Sequence, residues 1–290
     1  MSETPNLTSP RVIRELFGNY GLKPQKQWGQ NFLVDGNIVR KISAALDVKE
    51  GDKIIEVGPG AGALTMAFAR QNAELLVIEI DRGLVEMLKN VLQPFPNVRI
   101  INEDALKVKW NSLIGNEFSA GKSIKLVSNL PYVISGPFMH NLFNDAFPFH
   151  SAVLMFQKEV ALKLTAGPGD KDYSALSVLC RYYCHSELLF NVAGTVFWPR
   201  PKVGSAVLRL KPKEPLVEGK IESHFRDLVR GMFMQRRKTV LNNLVNYMQK
   251  GRDAAEEALN RAGINKADRP ESITVEQFAL LAGITYNYDK

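Results

Sequence analysis

Five short apolar runs mark the first half of the chain: "KIIEV", "ELLVIEI", "VRIINED", "IKLVSN" and "SAVLMFQ". Each has the length of a strand and reads as buried on both faces rather than alternating. Apolar residues at helical spacing accompany them. Ile38, Val39, Ile42, Ala45 and Leu46 share one face of an expected helix over 37–48, and further helices are expected at 64–70, 81–92 and 135–147. Alternating buried strands and helices leave little choice of architecture: an α/β, doubly wound parallel sheet covered on both faces.

The pattern then changes. A helix over 173–184 precedes "ELLFNVAG" and "SAVLRLKP", two strands separated by the Pro-rich loop "FWPRPKVG" and read as a late antiparallel addition to the sheet. "KPKEPLVEGK" is a linker. Beyond it only helices are expected, at 221–234, 238–248, 254–262 and 275–281. The reading is therefore a first domain over 1–210 and a small all-α domain over 211–290, with 1–25 loosely ordered apart from a short "VIRELF" helix. No internal repeat is visible.

Charge separates the same regions. Residues 51–199 carry thirteen basic and fourteen acidic side chains, whereas residues 200–290 carry seventeen and eleven. A near-neutral middle with a basic end suggests a small-molecule site joined to a polyanion-binding surface. Cys180, Cys184 and His185 are too few for a metal site, so the cysteines read as buried thiols on one helix face in a reducing compartment, and no metal is expected. The N-terminus lacks the apolar core of a signal peptide, and no apolar run spans a bilayer. A cytoplasmic, monomeric protein without membrane contact is expected.

"IIEVGPGAGALT" is a strand, a glycine turn and a helix start. Gly58, Gly60 and Gly62 let the backbone pass close to a ligand. The acid-x-Gly-x-Gly-x-Gly order, with Glu56 ahead of the turn, differs from the dinucleotide fingerprint. Glu79 ends the second strand, where a carboxylate can accept both hydroxyls of a ribose, and Asp104 ends the third, where it can accept from an exocyclic amine. Three such strand ends on one rim point to a nucleoside. S-adenosyl-L-methionine fits, with its amino-acid end by Gly58. NAD is the runner-up, made less welcome by Pro59 and Glu56 where its pyrophosphate would lie.

The fourth strand runs into "NLPY". An exocyclic amine on a base is a poor nucleophile because its lone pair is delocalised into the ring. The Asn129 side-chain oxygen and the Leu130 carbonyl can accept its two N–H bonds and free that pair for attack on a sulfonium methyl. Pro131 holds the backbone still, and Tyr132 offers a ring for stacking.

"NLPY" after "EVGPGAGALT" and "VIEIDR" resembles the small-subunit rRNA adenine dimethyltransferases, and the likeness covers nearly the whole chain. The resemblance implies a Rossmann-like class I methyltransferase sheet with a helical, basic rRNA-binding domain. It also implies S-adenosylmethionine as cofactor, and N6,N6-dimethylation of two adjacent adenosines near the 3′ end of 16S rRNA in an assembling small subunit. "KQWGQNFLVD" is similar to the family's cofactor-covering motif, so Asn31 and Leu33 would touch the cofactor together with Gly58, Gly60, Glu79, Asp104 and Asn129. Phe197 resembles the residue that sandwiches the adenine opposite Tyr132; a core phenylalanine is the other reading. The run Arg236, Arg237, Lys238, at a helix start, would contact phosphates unless it is a solvated face. Trp28, Val133, Trp198 and Arg200 depart from the family's usual residues around the target base. A 23S rRNA dimethyltransferase conferring antibiotic resistance and a non-catalytic assembly factor on the same fold are the alternatives. The helical tail disfavours the first, and the intact glycine turn and "NLPY" disfavour the second.

Overall fold

The computed structural model describes residues 4–71, 73–117, 123–144 and 148–289. Helix α1 (Pro10–Asn19) and the two-residue strand β1 (Phe32–Leu33) precede α2 (Gly36–Leu46). Strands and helices then alternate through β2 (Lys53–Val57), α3 (Ala63–Ala69), β3 (Glu74–Glu79), α4 (Arg82–Val91), β4 (Val98–Asn102), α5 (Trp110–Glu117), β5 (Ile124–Asn129), α6 (Ser135–Asn144) and β6 (Ser151–Gln157). Next come α7 (Lys158–Thr165), α8 (Ala175–Tyr183), β7 (Cys184–Val192), β8 (Phe197–Trp198) and β9 (Ser205–Pro212). Helices α9 (Lys220–Phe233), α10 (Val240–Met248), α11 (Arg252–Arg261) and α12 (Val275–Tyr286) close the chain. The last three residues of the helix expected over 135–147 lie outside the described residues.

The chain divides into two compact units, one running to Ala161 and including Glu187–Lys211, the other made of Leu162–Ser186 and the chain from Pro212 onward. In the first unit β4-β3-β2-β5-β6-β9-β7 form one seven-stranded sheet. The first five are parallel, and β9 runs antiparallel to β6. All five residues of β2 are buried, as are all but the last of β5 and β6, which is why these runs read as continuous rather than alternating. The order reverses between β2 and β5, so a crevice opens at their carboxyl ends.

Three sequence expectations are corrected here. Order at 4–25 extends beyond the expected "VIRELF" helix: α1 covers Pro10–Asn19, Leu7 is buried with Ile13, Phe17, Phe32 and Leu88, Leu22 packs on the same cluster, and the Phe17 ring meets Phe32 edge-on at 5.0 Å. Leu162–Ser186, expected in the first domain, belongs to the second unit. There the Tyr182 ring stacks on Phe225 at 4.2 Å, and the buried Tyr173 hydroxyl donates to the Ile273 carbonyl at 3.0 Å. The cysteines are both buried but do not share a helix face, because α8 ends at Tyr183 and Cys184 opens β7. Burial pushes the Cys180 thiol up to about 12. Among the described residues no helix is long and apolar enough to cross a membrane.

Candidate active site

The turn between β2 and α3 is built so that side chains would obstruct it. Gly58 has φ +63°, and a Cβ there would lie 3.1 Å from Pro131 Cδ. Gly60 has φ +57°, and its Cβ would lie 2.8 Å from Phe32 Cδ1. Both conformations favour glycine. The glycine turn is thus closed in by the "NLPY" proline on one side and by the N-terminal motif on the other.

Two acids stand at this turn. Glu56, in the middle of the sheet, is 1% exposed, and its Oε2 has no hydrogen-bond partner among the described residues. Burial pushes its carboxyl up to about 8; the adjacent Thr65 hydroxyl opposes this and the Glu79 carboxylate adds to it. Glu79 is the last residue of β3 and 5% exposed, and its Oε1 accepts from the Asp81 amide at 2.9 Å. Burial lifts it to about 7 against the pull of the neighbouring amides, Gly60 among them. Asp81 in turn caps α4, accepting from the Gly83 and Leu84 amides. One short turn therefore fixes the acid, the helix and the glycine loop together.

The fourth strand delivers Asn129 to the same rim. Its Nδ2 donates to the Asn31 carbonyl at 3.0 Å, and no described residue donates to its Oδ1. Asn31 is itself held by its amide on the Gly29 carbonyl at 2.9 Å. The buried Leu130 donates its amide to Met155 O, and the Tyr132 hydroxyl pairs with Ser205 Oγ at 2.7 Å, which fixes the ring.

These groups line a cleft of about 660 Å³, partly open to solvent. Asn31, Leu33, Gly58, Gly60, Glu79 and the Asn129–Tyr132 stretch all face it. Asp104 does not end a strand, because β4 stops at Asn102. It sits in the following turn, where its Oδ1 accepts from the Leu106 amide at 2.9 Å. It lines an adjoining, largely apolar cleft of about 470 Å³ with Ile78, Ile134 and Val133. The two clefts share Trp28, Gly58, Glu79, Ile80 and Pro131.

Phe197 is elsewhere. It is 4% exposed, paired with Leu33 across the two-stranded β1–β8 sheet and packed into the core, so its burial matches the core reading. The run Arg236, Arg237, Lys238 lies in the turn between α9 and α10. Arg236 is committed internally: its Nε meets Glu271 at 3.1 Å and its Nη2 donates to the Tyr173 carbonyl at 3.1 Å. Arg237 and Lys238 are exposed. Two contributors were missed from sequence. Phe32 floors the glycine turn, and Gln30 donates to Asp81 at 3.1 Å while accepting from the Gln25 amide at 2.8 Å. Both sit inside "KQWGQNFLVD", but only their partners reveal what they do.

The residues present fit S-adenosylmethionine. A ligand bearing donors and positive charge meets a buried carboxyl oxygen without a partner at Glu56 and a second buried acid at Glu79. A flat base meets the largely apolar cleft, whose acids are Glu79, Glu103 and Asp104. A doubly wound sheet with this glycine turn, Glu56 beside it and Glu79 closing the next strand defines a class I methyltransferase. The ribosomal RNA adenine dimethylase family matches residues 21–286, and the chain belongs to that family. It is 42% identical to the ribosomal RNA small subunit methyltransferase A of Geobacillus sp. (strain WCH70), across 96% of this chain and 97% of that one. It is 43% identical to the protein of the same name from Pelotomaculum thermopropionicum, across 95% and 96%. Among solved structures it resembles a dimethyladenosine transferase from Plasmodium falciparum (TM-score 0.71, 26% identity, 86% of this chain and 95% of that one). It also resembles the 23S rRNA methyltransferase ErmE (TM-score 0.65, 26% identity, 88% and 100%).

Proposed function

We propose that this chain dimethylates N6 of two adjacent adenosines near the 3′ end of 16S rRNA, acting on an assembling small ribosomal subunit with S-adenosyl-L-methionine as methyl donor. The near-full-length likeness to proteins named small subunit methyltransferase A supports the choice of subunit. The observation that carries the chemistry is the amide of Asn129. With its nitrogen bonded to the Asn31 carbonyl, its oxygen is the atom left to accept at the cleft.

When bound, S-adenosylmethionine supplies an electrophilic methyl on a sulfonium. Glu56, Glu79, Asp104 and the glycine turn would hold it. The Asn129 oxygen and the Leu130 carbonyl accept the two N–H bonds of the adenine amine and localise its lone pair for in-line attack. Tyr132, held through Ser205, presents a ring to the base. The amine proton leaves to water after transfer, so no strong base is required. After one transfer the nitrogen keeps one N–H for the same acceptors, which makes a dimethylated product natural.

The test is transfer of labelled methyl groups to undermethylated small subunits, with the modified bases mapped. Dimethyladenosine in 16S rRNA is expected. No label in 16S rRNA, transfer to large-subunit particles supplied alongside in preference to small subunits, or a monomethyl end product at exhaustive cofactor overturns the proposal. Asn129→Ala should retain cofactor binding and lose about 10²–10³ in single-turnover rate, as when a preorganised dipole is removed. A rate within a few-fold of the parent rules the amide out as the positioning group.

A further inference from the structure

The second unit contains a polar-walled hollow of about 760 Å³, partly open to solvent, that the site above does not use. Arg181 near the end of α8, His185 at the start of β7, Lys213 and the first residues of α12 form its wall. Arg181 and His185 are exposed and Lys213 is half-buried. Among the described residues none of these three side chains has a hydrogen-bond or ion-pair partner, so they contribute nothing visible to holding the fold. Four other cations of this unit are committed internally, Arg236 to Glu271, Arg226 to Glu222, and Arg252 and Lys266 to Glu256, whereas Arg237, Lys238 and Lys250 are exposed outside this wall. The wall carries two cations against one carboxylate, Glu276.

The helix end strengthens the same sign. Thr274 caps α12 through the Gln277 amide, in a reciprocal arrangement with the Gln277 side chain. The amides of Val275 and Glu276, the first two of the helix, have no acceptor within it. Both residues line the cavity, so the positive end of the helix dipole lies on the wall that Arg181 and Lys213 also line. A guanidinium fork, an ammonium and free amides around one concavity suit a tetrahedral oxyanion.

We infer that this cavity seats a phosphodiester of the RNA substrate, held by Arg181 and Lys213 at the start of α12. The inference rests on the functional reading above and extends RNA contact from the run at Arg237 and Lys238 to a built pocket. The experiment uses the full chain and undermethylated small subunits, comparing wild type, the double variant Arg181→Ala/Lys213→Ala, and Lys250→Ala. Lys250 is an exposed lysine of the same unit outside the cavity. Two lost phosphate contacts should flatten the log–log dependence of affinity on salt by about 1.4–1.8 and lower affinity about 25- to 60-fold at 0.1 M salt. Cofactor affinity should stay at the wild-type value, and Lys250→Ala should leave the slope in place. A wild-type slope in the double variant overturns the inference, as does an equal change in Lys250→Ala, which would reduce the effect to overall charge. A wild-type protein that transfers no methyl to small subunits overturns the functional reading instead, and the RNA ligand with it.

Discussion

Glu56→Gln isolates a buried carboxyl at the foot of the glycine turn. The side chain is 1% exposed, its Oε2 has no hydrogen-bond partner among the described residues, and burial raises its pKa from 4.5 to about 8. Below pH 4.5 both the folded and the unfolded chain hold this proton, and ionisation costs the fold nothing. As pH rises the unfolded chain releases it first, while the folded chain keeps it until about pH 8. The unfolded state therefore binds fewer protons throughout that window, and stability falls with pH. At about 1.4 kcal/mol per unit, the loss between pH 5 and pH 8 is about 3–4 kcal/mol for this group alone. Glu79, lifted to about 7, adds to the fall in the same direction. Glutamine has the same shape and cannot ionise, so the variant should keep only the Glu79 part of the slope. Urea unfolding of cofactor-free protein at pH 5.5, 7 and 8.5 reads the difference, and ¹³C-labelled glutamate carboxyls report the titration directly. Equal pH dependence in the two proteins, or a Glu56 carboxyl that titrates near 4.5, would refute the argument.

Gly60→Ala should destabilise the first unit by about 1–3 kcal/mol, since a left-handed residue with a Cβ costs about 1–2 kcal/mol and this one also displaces Phe32; a thermal midpoint equal to wild type would show that the turn yields freely. Glu79→Ala should weaken S-adenosylmethionine binding by roughly 1.5–3 kcal/mol, the range for a hydrogen bond to a charged group, and calorimetry giving the wild-type affinity in a folded variant would end its assignment to the ribose. Arg236→Ala should lower the thermal midpoint and leave the salt dependence of subunit binding intact, because its guanidinium is bonded to Glu271 and the Tyr173 carbonyl. Arg237→Ala should do the reverse, and identical behaviour of the two would mean that the internal bonds of Arg236 are dispensable.

What the sequence made legible depended on how far away each residue's partner lies. β2, β5 and β6 announce themselves because a strand buried on both faces must be apolar throughout, whatever packs on it. Glu79 and Asn129 are legible because a polar residue closing such a strand reaches the rim by register alone, and both do. Phe197 is not, because pairing with Leu33 from a remote segment decides whether its ring is free. Arg236 reads as one charge in a run of three until Glu271 is brought beside it. The allegiance of Leu162–Ser186 is hidden for the same reason, since Tyr173 and Tyr182 meet their partners in α9 and beyond α11. Strands β1 and β8 are two residues each, too short for any periodicity to show.

The N-terminal motif shows what such remote partners achieve. Gln30 bonds to Asp81, the residue that caps α4 and whose amide binds Glu79, while the Asn31 carbonyl holds the amide of Asn129. Phe32, the next residue, supports the glycine turn at the position of Gly60. Three consecutive side chains or carbonyls thus reach the acid that would hold the ribose, the amide that would hold the target amine, and the turn between them. A change in this segment must therefore act on cofactor binding and on methyl transfer together, even though none of its side chains is an acid, a base or a nucleophile. That coupling separates Asn31 from Asn129: loss of the Asn31 side chain frees the carbonyl that holds the Asn129 amide, so the damage should appear in both affinity and rate, whereas loss of the Asn129 side chain should leave most cofactor binding and appear mainly in rate.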